Sequence, residues 1–294
     1  KNGKLYVVTL EDKSIVEIAD NEHGNRMDVA WSPCSGHIAY TLNEETDFRT
    51  IYIWSESDGE SRKVTDAYAD EFDPTWDPDG DFLFYLAKRE FAPQISSIEW
   101  NYAGNRDIAI FALALREDVE HPFLPESDEV AIDTDEEEES EENADEEASD
   151  EEESEEEDDA SEPLVIDFDG LADRVARIPV SPDNYSSLHA IQGGKLLFTR
   201  RGAGFYGRGS YEDTSLRIFD MEARKESVVA ENAGGYAYAK DGRTVLVRQN
   251  GDYRLMEIKS GGGEKKTVST RDLAVDRIPE EEWLEVFDET WRRF

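Results

Sequence analysis

A spacing of 45 residues constrains this chain more than any other feature. The stretch "MDVAWSPCSGHIAYTL" returns as "FDPTWDPDGDFLFYLA". Trp31 aligns with Trp76, Pro33 with Pro78 and Tyr40 with Tyr85, and Gly36 pairs with Gly80 once a one-residue gap is allowed. "GYAYAKDGRTVLVRQ" is a weaker third copy with Asp241-Gly242 at its turn, and "YSSLHAIQGGKLLFTRR" is a fourth with Gly193-Gly194 in that place. A unit of about 40–50 residues repeated along a chain is the mark of propeller blades.

The chemistry inside each copy fits that reading. A short strand enters a tight turn, and Pro-Asp-Gly, Asp-Gly or Gly-Gly supplies the turn geometry. An apolar strand follows: His37 to Leu42, Phe82 to Ala87, Lys195 to Thr199 and Thr244 to Val247. A β-branched and aromatic strand comes next, in "TIYIWS", "DIAIFALAL", "SLRIFDM" and "YRLMEI". Polar strands close the units, in "SRKVTD", "DRVARIPV", "ESVVAEN" and "KKTVS". Four strands per unit is the content of one blade. The expectation is an all-β propeller of about four and a half blades, with "KLYVVTLEDKSIVEIAD" as the outer half of an earlier blade. Closed rings commonly hold about six or seven blades, and an open array leaves sheet edges unprotected. Further blades upstream are therefore expected.

One blade is interrupted. Its third strand ends near Arg116 and its fourth starts near Asp173, and between Glu126 and Glu162 stand 24 acidic residues with no Lys or Arg. Such a segment has too little apolar surface to bury and is expected to be disordered. The bland reading is a solvated loop; the functional one is an acidic lure for basic proteins or metal ions. The expected division is 1–125 blades, 126–162 acidic insertion, 163–270 blades and 271–294 a linker strand and a helix. The formal charge of −40 leaves −16 outside the insertion, so the folded part is acidic too. That balance disfavours nucleic acid and anionic membrane surfaces as partners. Adaptation to a salty cytoplasm would also produce it.

No catalytic constellation is evident. The four histidines, His23, His37, His121 and His189, lack metal-ligand spacing, and no cofactor motif survives inspection. "GAGFYG", Gly202 to Gly207, matches a dinucleotide fingerprint in letters only, because a loop and strand follow where a helix is required. Ser210 in "GRGSYED" lacks a nucleophile elbow. Arg200, Arg201 and Arg208 cluster in "RRGAGFYGRG", either as a solvated hairpin or as a guide for peptide carboxylates. Cys34 is the one cysteine, so no internal disulfide forms. No apolar run is long enough for a transmembrane helix, and "KNGKLYVVTL" has no signal core.

The final stretch "IPEEEWLEVFDETWRRF" reads as a helix. Pro279 suits its first turn and Glu280 to Glu282 suit its positive end. Trp283, Phe287 and Trp291 recur every four residues, with Val286 and Phe294 beside them. So large an apolar face calls for another domain to cover it.

These segments carry a family resemblance. The "WSP" and "WDPDG" blades resemble the propellers of TolB and of tricorn proteases. "FAPQISSIEWNYAGNRDIAIFALALREDVEHPFLPESDE" resembles the tricorn blade that precedes a charged insertion, and "VIDFDGLADRVARIPVSPDNYSSLHAIQGGKLLF" the segment that follows it. "RIPEEEWLEVFDETWRRF" is similar to the start of the first domain of the tricorn catalytic region. The resemblance implies most of a second, seven-bladed propeller plus the first helix of the core. It further implies a parent serine peptidase that cuts oligopeptides in the cytoplasm, assembles as a homo-oligomer and uses its propellers as a filter or channel. By the same resemblance the catalytic Ser and His, the oxyanion hole and the PDZ domain lie beyond Phe294, so the fragment alone is expected to be inactive. A non-catalytic TolB-like binding module is the alternative.

Overall fold

Residues 3–24, 26–95, 102–123, 164–202, 213–239, 242–271, 274 and 276–293 are described by a computed structural model. The acidic insertion of 126–162, Arg208, Ser210, Asp241, Phe294 and most of Gly202–Gly207 lie outside them. Strands β1 (Lys4–Val8) and β2 (Ile15–Asp20) form an antiparallel pair. Blade 1 follows as β3 (Val29–Trp31), β4 (His37–Asn43), β5 (Arg49–Ser55) and β6 (Ser61–Lys63). Blade 2 starts with β7 (Glu71–Trp76) and β8 (Phe82–Lys88). A separate hairpin, β9 (Pro93–Ile95) with β10 (Tyr102–Asn105), precedes the blade's remaining strands, β11 (Ile108–Ala114) and β12 (Val175–Arg177). Blade 3 is β13 (Tyr185–Ile191), β14 (Lys195–Arg200), β15 (Ser215–Asp220) and β16 (Lys225–Ala230). Blade 4 is β17 (Ala233–Tyr238), β18 (Thr244–Gln249), β19 (Asp252–Glu257) and β20 (Lys265–Val268). Helix α1 (Pro279–Arg293) ends the chain.

Each blade is a four-stranded antiparallel meander, and the expected all-β propeller with a C-terminal helix is what forms. In blade 4 strand β19 stays mostly exposed, but in blades 1 to 3 the two middle strands are covered on both faces and are largely buried. That is why β11 is buried at every position and reads as an unbroken apolar run. Alternation along β8 divides the work. Phe84 and Leu86 pack with Leu188, Leu196, Phe198 and Phe219 of blade 3. Leu83 and Tyr85 face the other way, onto Ile51, Ile53 and Val64 of blade 1. Blades 3 and 4 meet through Leu197, Leu216 and Ile218 against Val245, Val247 and Met256. Tyr40 and Trp54 of blade 1 pack with Leu5, Val7 and Ile18 of the β1–β2 pair.

The repeat is more regular than its letters. Ser35, at φ +60°, occupies the left-handed position that Gly80 occupies at φ +81°. Ser35 N donates to Ser32 O at 2.9 Å, as Gly80 N donates to Asp77 O at 3.0 Å. The two turns therefore superpose without a gap, and Ser35 rather than Gly36 is the counterpart of Gly80. A serine holds the left-handed position at some steric cost, and the glycine removes that cost. The hairpin β9–β10 was not expected from the sequence; Pro93 at the start of its first strand masks the pattern.

Candidate functional site

The first strands of neighbouring blades pack against one another, β3 with β7 and β7 with β13, and they carry a repeated device. Strand β7 bulges between Phe72 and Thr75, β13 between Ser186 and His189, and β17 between Ala233 and Tyr236. Asp73 and Ser187 sit inside their bulges at φ +57° and +56°. A bulge leaves ladder N–H groups unpaired, and the aspartate of the preceding blade takes them up. Asp28 Oδ2 accepts from Asp73 N at 3.2 Å, and Asp73 Oδ2 accepts from Leu188 N at 2.8 Å. Thr75 Oγ1 also accepts from Ala190 N at 3.2 Å. Asp28 and Asp73 each lie three residues before a repeat tryptophan, so a 45-residue periodicity of aspartates was the signal available for this device.

Burial raises the Asp73 carboxyl above its ordinary range, and the like charge of Asp28 adds to that, against hydrogen bonds from the Leu188 and Ser187 backbone. Around Asp28 the charge is balanced. Arg49 donates through Nε and Nη2 to both oxygens of Asp70, at 2.8 and 2.9 Å, and through Nη1 to Asp28 at 3.2 Å. Lys88 Nζ lies 2.9 Å from Asp70 Oδ2, and the Arg49 guanidinium covers the Phe72 ring at 4.3 Å. Further along these first strands the side chains are largely aromatic. His189 Nδ1 is 3.0 Å from the Tyr236 hydroxyl, and its ring meets the Tyr238 ring edge-on with centroids 5.0 Å apart. Val29, Trp31 and Tyr238 are exposed on β3 and β17. This surface offers aromatic side chains, an imidazole and carboxylates.

The two repeat tryptophans differ in a telling way. Trp76 is 5% exposed and its indole donates to Ala30 O of the preceding blade at 3.0 Å. Trp31 is 54% exposed. Only the pair β1–β2 precedes it, and among the described residues no counterpart of Ala30 stands before it.

Of the three arginines singled out, Arg200 closes β14 and its Nε donates to the buried Asp183 carboxylate at 2.6 Å. It also lines a cleft of about 400 Å³ with Asp213, Ser215, Arg217, Glu231 and Asn232. Arg201 is exposed, and its backbone N–H donates to Asn184 O at 2.9 Å. The structure thus gives Arg200 a counter-ion and leaves Arg201 at the surface. On α1, Trp283, Phe287 and Trp291 are 69%, 64% and 75% exposed, and Phe287 stacks on Trp291 with centroids 6.4 Å apart. Arg277 Nε donates to Glu282 Oε1 at 2.7 Å at the helix start. His23 is exposed, His121 Nδ1 accepts from Phe123 N at 3.1 Å, and His37 lies at the end of blade 1 near the Trp76 ring. Among the described residues, no group of three or more His, Cys, Asp or Glu is placed to hold a metal ion. No helix among them is long and apolar enough to cross a membrane.

Comparison with known proteins points one way. The family described as the tricorn protease second beta propeller domain matches residues 1–259. A tricorn protease homolog of Saccharolobus solfataricus is 22% identical over 98% of this chain and 25% of its own length. Tricorn protease homolog 1 of Streptomyces coelicolor is 26% identical over 99% of this chain and 27% of its own. The crystal structure of the tricorn protease superposes with a TM-score of 0.75 at 20% identity, over 99% of this chain and 26% of that one. The chain spans about a quarter of the length of these relatives.

Proposed function

The chain belongs to the tricorn protease second β-propeller family, and on that premise we propose that it is the substrate-access propeller of a tricorn-like serine peptidase that degrades oligopeptides in the cytoplasm. The observation that carries this reading is the family match over residues 1–259, which takes in every blade strand but β20, joined to first strands that present aromatic side chains and His189. In this role the propeller admits extended peptides and the chemistry takes place in other domains of the same protein. Arg201, with Arg200 and Arg208, draws peptide carboxylates on an otherwise acidic surface. The exposed face of Trp283, Phe287 and Trp291 seats against the peptidase core, and the parent protein forms a homo-oligomer. The exposed Trp31 supports a further blade before β3, whose first strand would accept its indole N–H as Ala30 accepts that of Trp76.

The reading predicts that these 294 residues do not hydrolyse peptides by themselves. Incubated with a fluorogenic oligopeptide, the purified chain is expected to give no release above buffer. Turnover that persists through repurification and co-elutes with the propeller would overturn the assignment of the chemistry to another domain.

A further inference from the structure

At the end of blade 1 lies a cleft of about 670 Å³, away from the axis. Its floor is the turn of Cys34, Gly36 and His37, with Ser55, Glu56, Asp58 and Arg62. Its wall is the extended segment 164–168, which arrives from more than a hundred residues further along the chain. Leu164, Ile166 and Phe168 pack onto the core shared by blades 1 and 2, and the Arg62 guanidinium lies over the Phe168 ring at 4.7 Å. Asp167 N donates to Leu115 O at 2.9 Å, which ties the segment to the end of β11.

Two independent features mark this cleft as a site. The first concerns hydrogen bonding. Ser55 is 3% exposed and its Oγ has no partner, and neither His37 Nδ1 nor Arg62 Nη1 has one. Buried polar groups are nearly always paired, so three orphans around one cleft point to an occupant or a rearrangement that would pair them. The second is the thiol. The Ser32 hydroxyl lies 3.4 Å from Cys34 Sγ, and Gly36 and Leu164 line the cleft beside it. Burial alone would raise the thiol, but hydrogen bonding outweighs it and holds Cys34 below its ordinary value. Burial also keeps His37 neutral by lowering its pKa, against the pull of Asp58. The charged groups of the lining are then Glu56, Asp58 and Arg62, and Arg62 Nη2 is bound to Asp58 at 2.6 Å and Glu60 at 2.9 Å. The lining is negative on balance.

We propose that Cys34 is a thiol–disulfide exchange site for small ammonium-bearing disulfides, and that its occupation loosens the 164–168 segment. The Cys34 thiolate attacks one sulfur of the incoming disulfide, a new Sγ–S bond forms, the old S–S bond breaks, and the departing thiolate takes a proton from water. Cys34 is oxidised and one half of the small disulfide is reduced. The ammonium is held by Glu56 and Asp58. Once in the mixed disulfide, Sγ carries the added half into the cleft that Leu164, Ile166 and Phe168 wall, and the segment is displaced.

The chain has a single cysteine, which makes the test clean. Cystamine is added at neutral pH and adduct formation is followed by intact mass. The native chain is expected to take up one half-cystamine several-fold faster than the same chain unfolded in urea, and faster than it takes up the half of the anionic dithiodiglycolate. Glu56→Gln is expected to narrow the preference between the two, and Cys34→Ser to show no adduct. Hydrogen exchange is expected to quicken over 164–168 in the adduct and to stay unchanged elsewhere in blade 2. A native thiol slower than the unfolded one, or unchanged exchange over 164–168, would overturn the proposal.

Discussion

Asp70→Asn is expected to lower stability by roughly 1.5–3 kcal/mol at neutral pH, the scale of a lost hydrogen bond to a charged group. Asp70 receives two hydrogen bonds from Arg49 and one from Lys88, and the Arg49 and Asp70 side chains are both largely buried. Asparagine keeps the volume but leaves Arg49 with Asp28 as its remaining carboxylate. The pH dependence gives a second handle. Burial pushes the Asp70 carboxyl up, but the hydrogen bonds and charges of Arg49 and Lys88 outweigh that and hold it well below the ordinary carboxylate value. A depressed carboxylate stabilises the fold above its unfolded pKa, and that stability drains away as pH falls and the unfolded chain binds the proton first. Urea unfolding of both proteins is therefore expected to show the widest gap at pH 6–7 and a shrinking gap as pH falls below about 4. A gap that stayed constant with pH would mean that the carboxylate's charge is not what Asp70 contributes.

Changing Trp283, Phe287 and Trp291 together to alanine is expected to separate two kinds of stability. In the 294-residue chain the three side chains are mostly exposed, so the propeller's unfolding midpoint should barely move. In the proposed full-length peptidase the same face would be covered, and each side chain would then contribute roughly 1.5–3 kcal/mol when fully buried. Loss of all three should detach the propeller from the catalytic region, which limited proteolysis between them would reveal as a new cut. Equal, small effects in both proteins would show that the face stays open to solvent and that α1 docks on nothing.

The blades were legible because their signals are local. A turn residue, an apolar run and a β-branched run recur at a spacing that the eye can test, and Tyr40 and Tyr85 occupy the same fully buried position in neighbouring blades. The helix was legible for the same reason, since its first-turn proline and glutamates and its four-residue stripe lie in one short stretch. Contacts between blades were not legible. That Asp73 would accept from the backbone of Leu188, 115 residues on, depends on bulges in the packed strands β7 and β13 of adjacent blades. Arg200 read as part of a solvated or carboxylate-guiding hairpin because its partner Asp183 is brought to it only when the chain turns back into β14. The cleft at Cys34 needed the 164–168 segment, which joins blade 1 from the far side of the acidic insertion. The turn alignment failed by one residue because a glycine was sought at the left-handed position, where Ser35 is found.

The most direct test of the central claim is the intact mass of the native polypeptide that carries this sequence. If the chain is the propeller of a tricorn-like peptidase, that polypeptide is expected to weigh several times the 33.4 kDa of these 294 residues and to cleave oligopeptides when purified whole. A native mass near 33.4 kDa would contradict the account: the chain would then be a free-standing propeller whose aromatic helix binds a partner, without peptidase chemistry of its own.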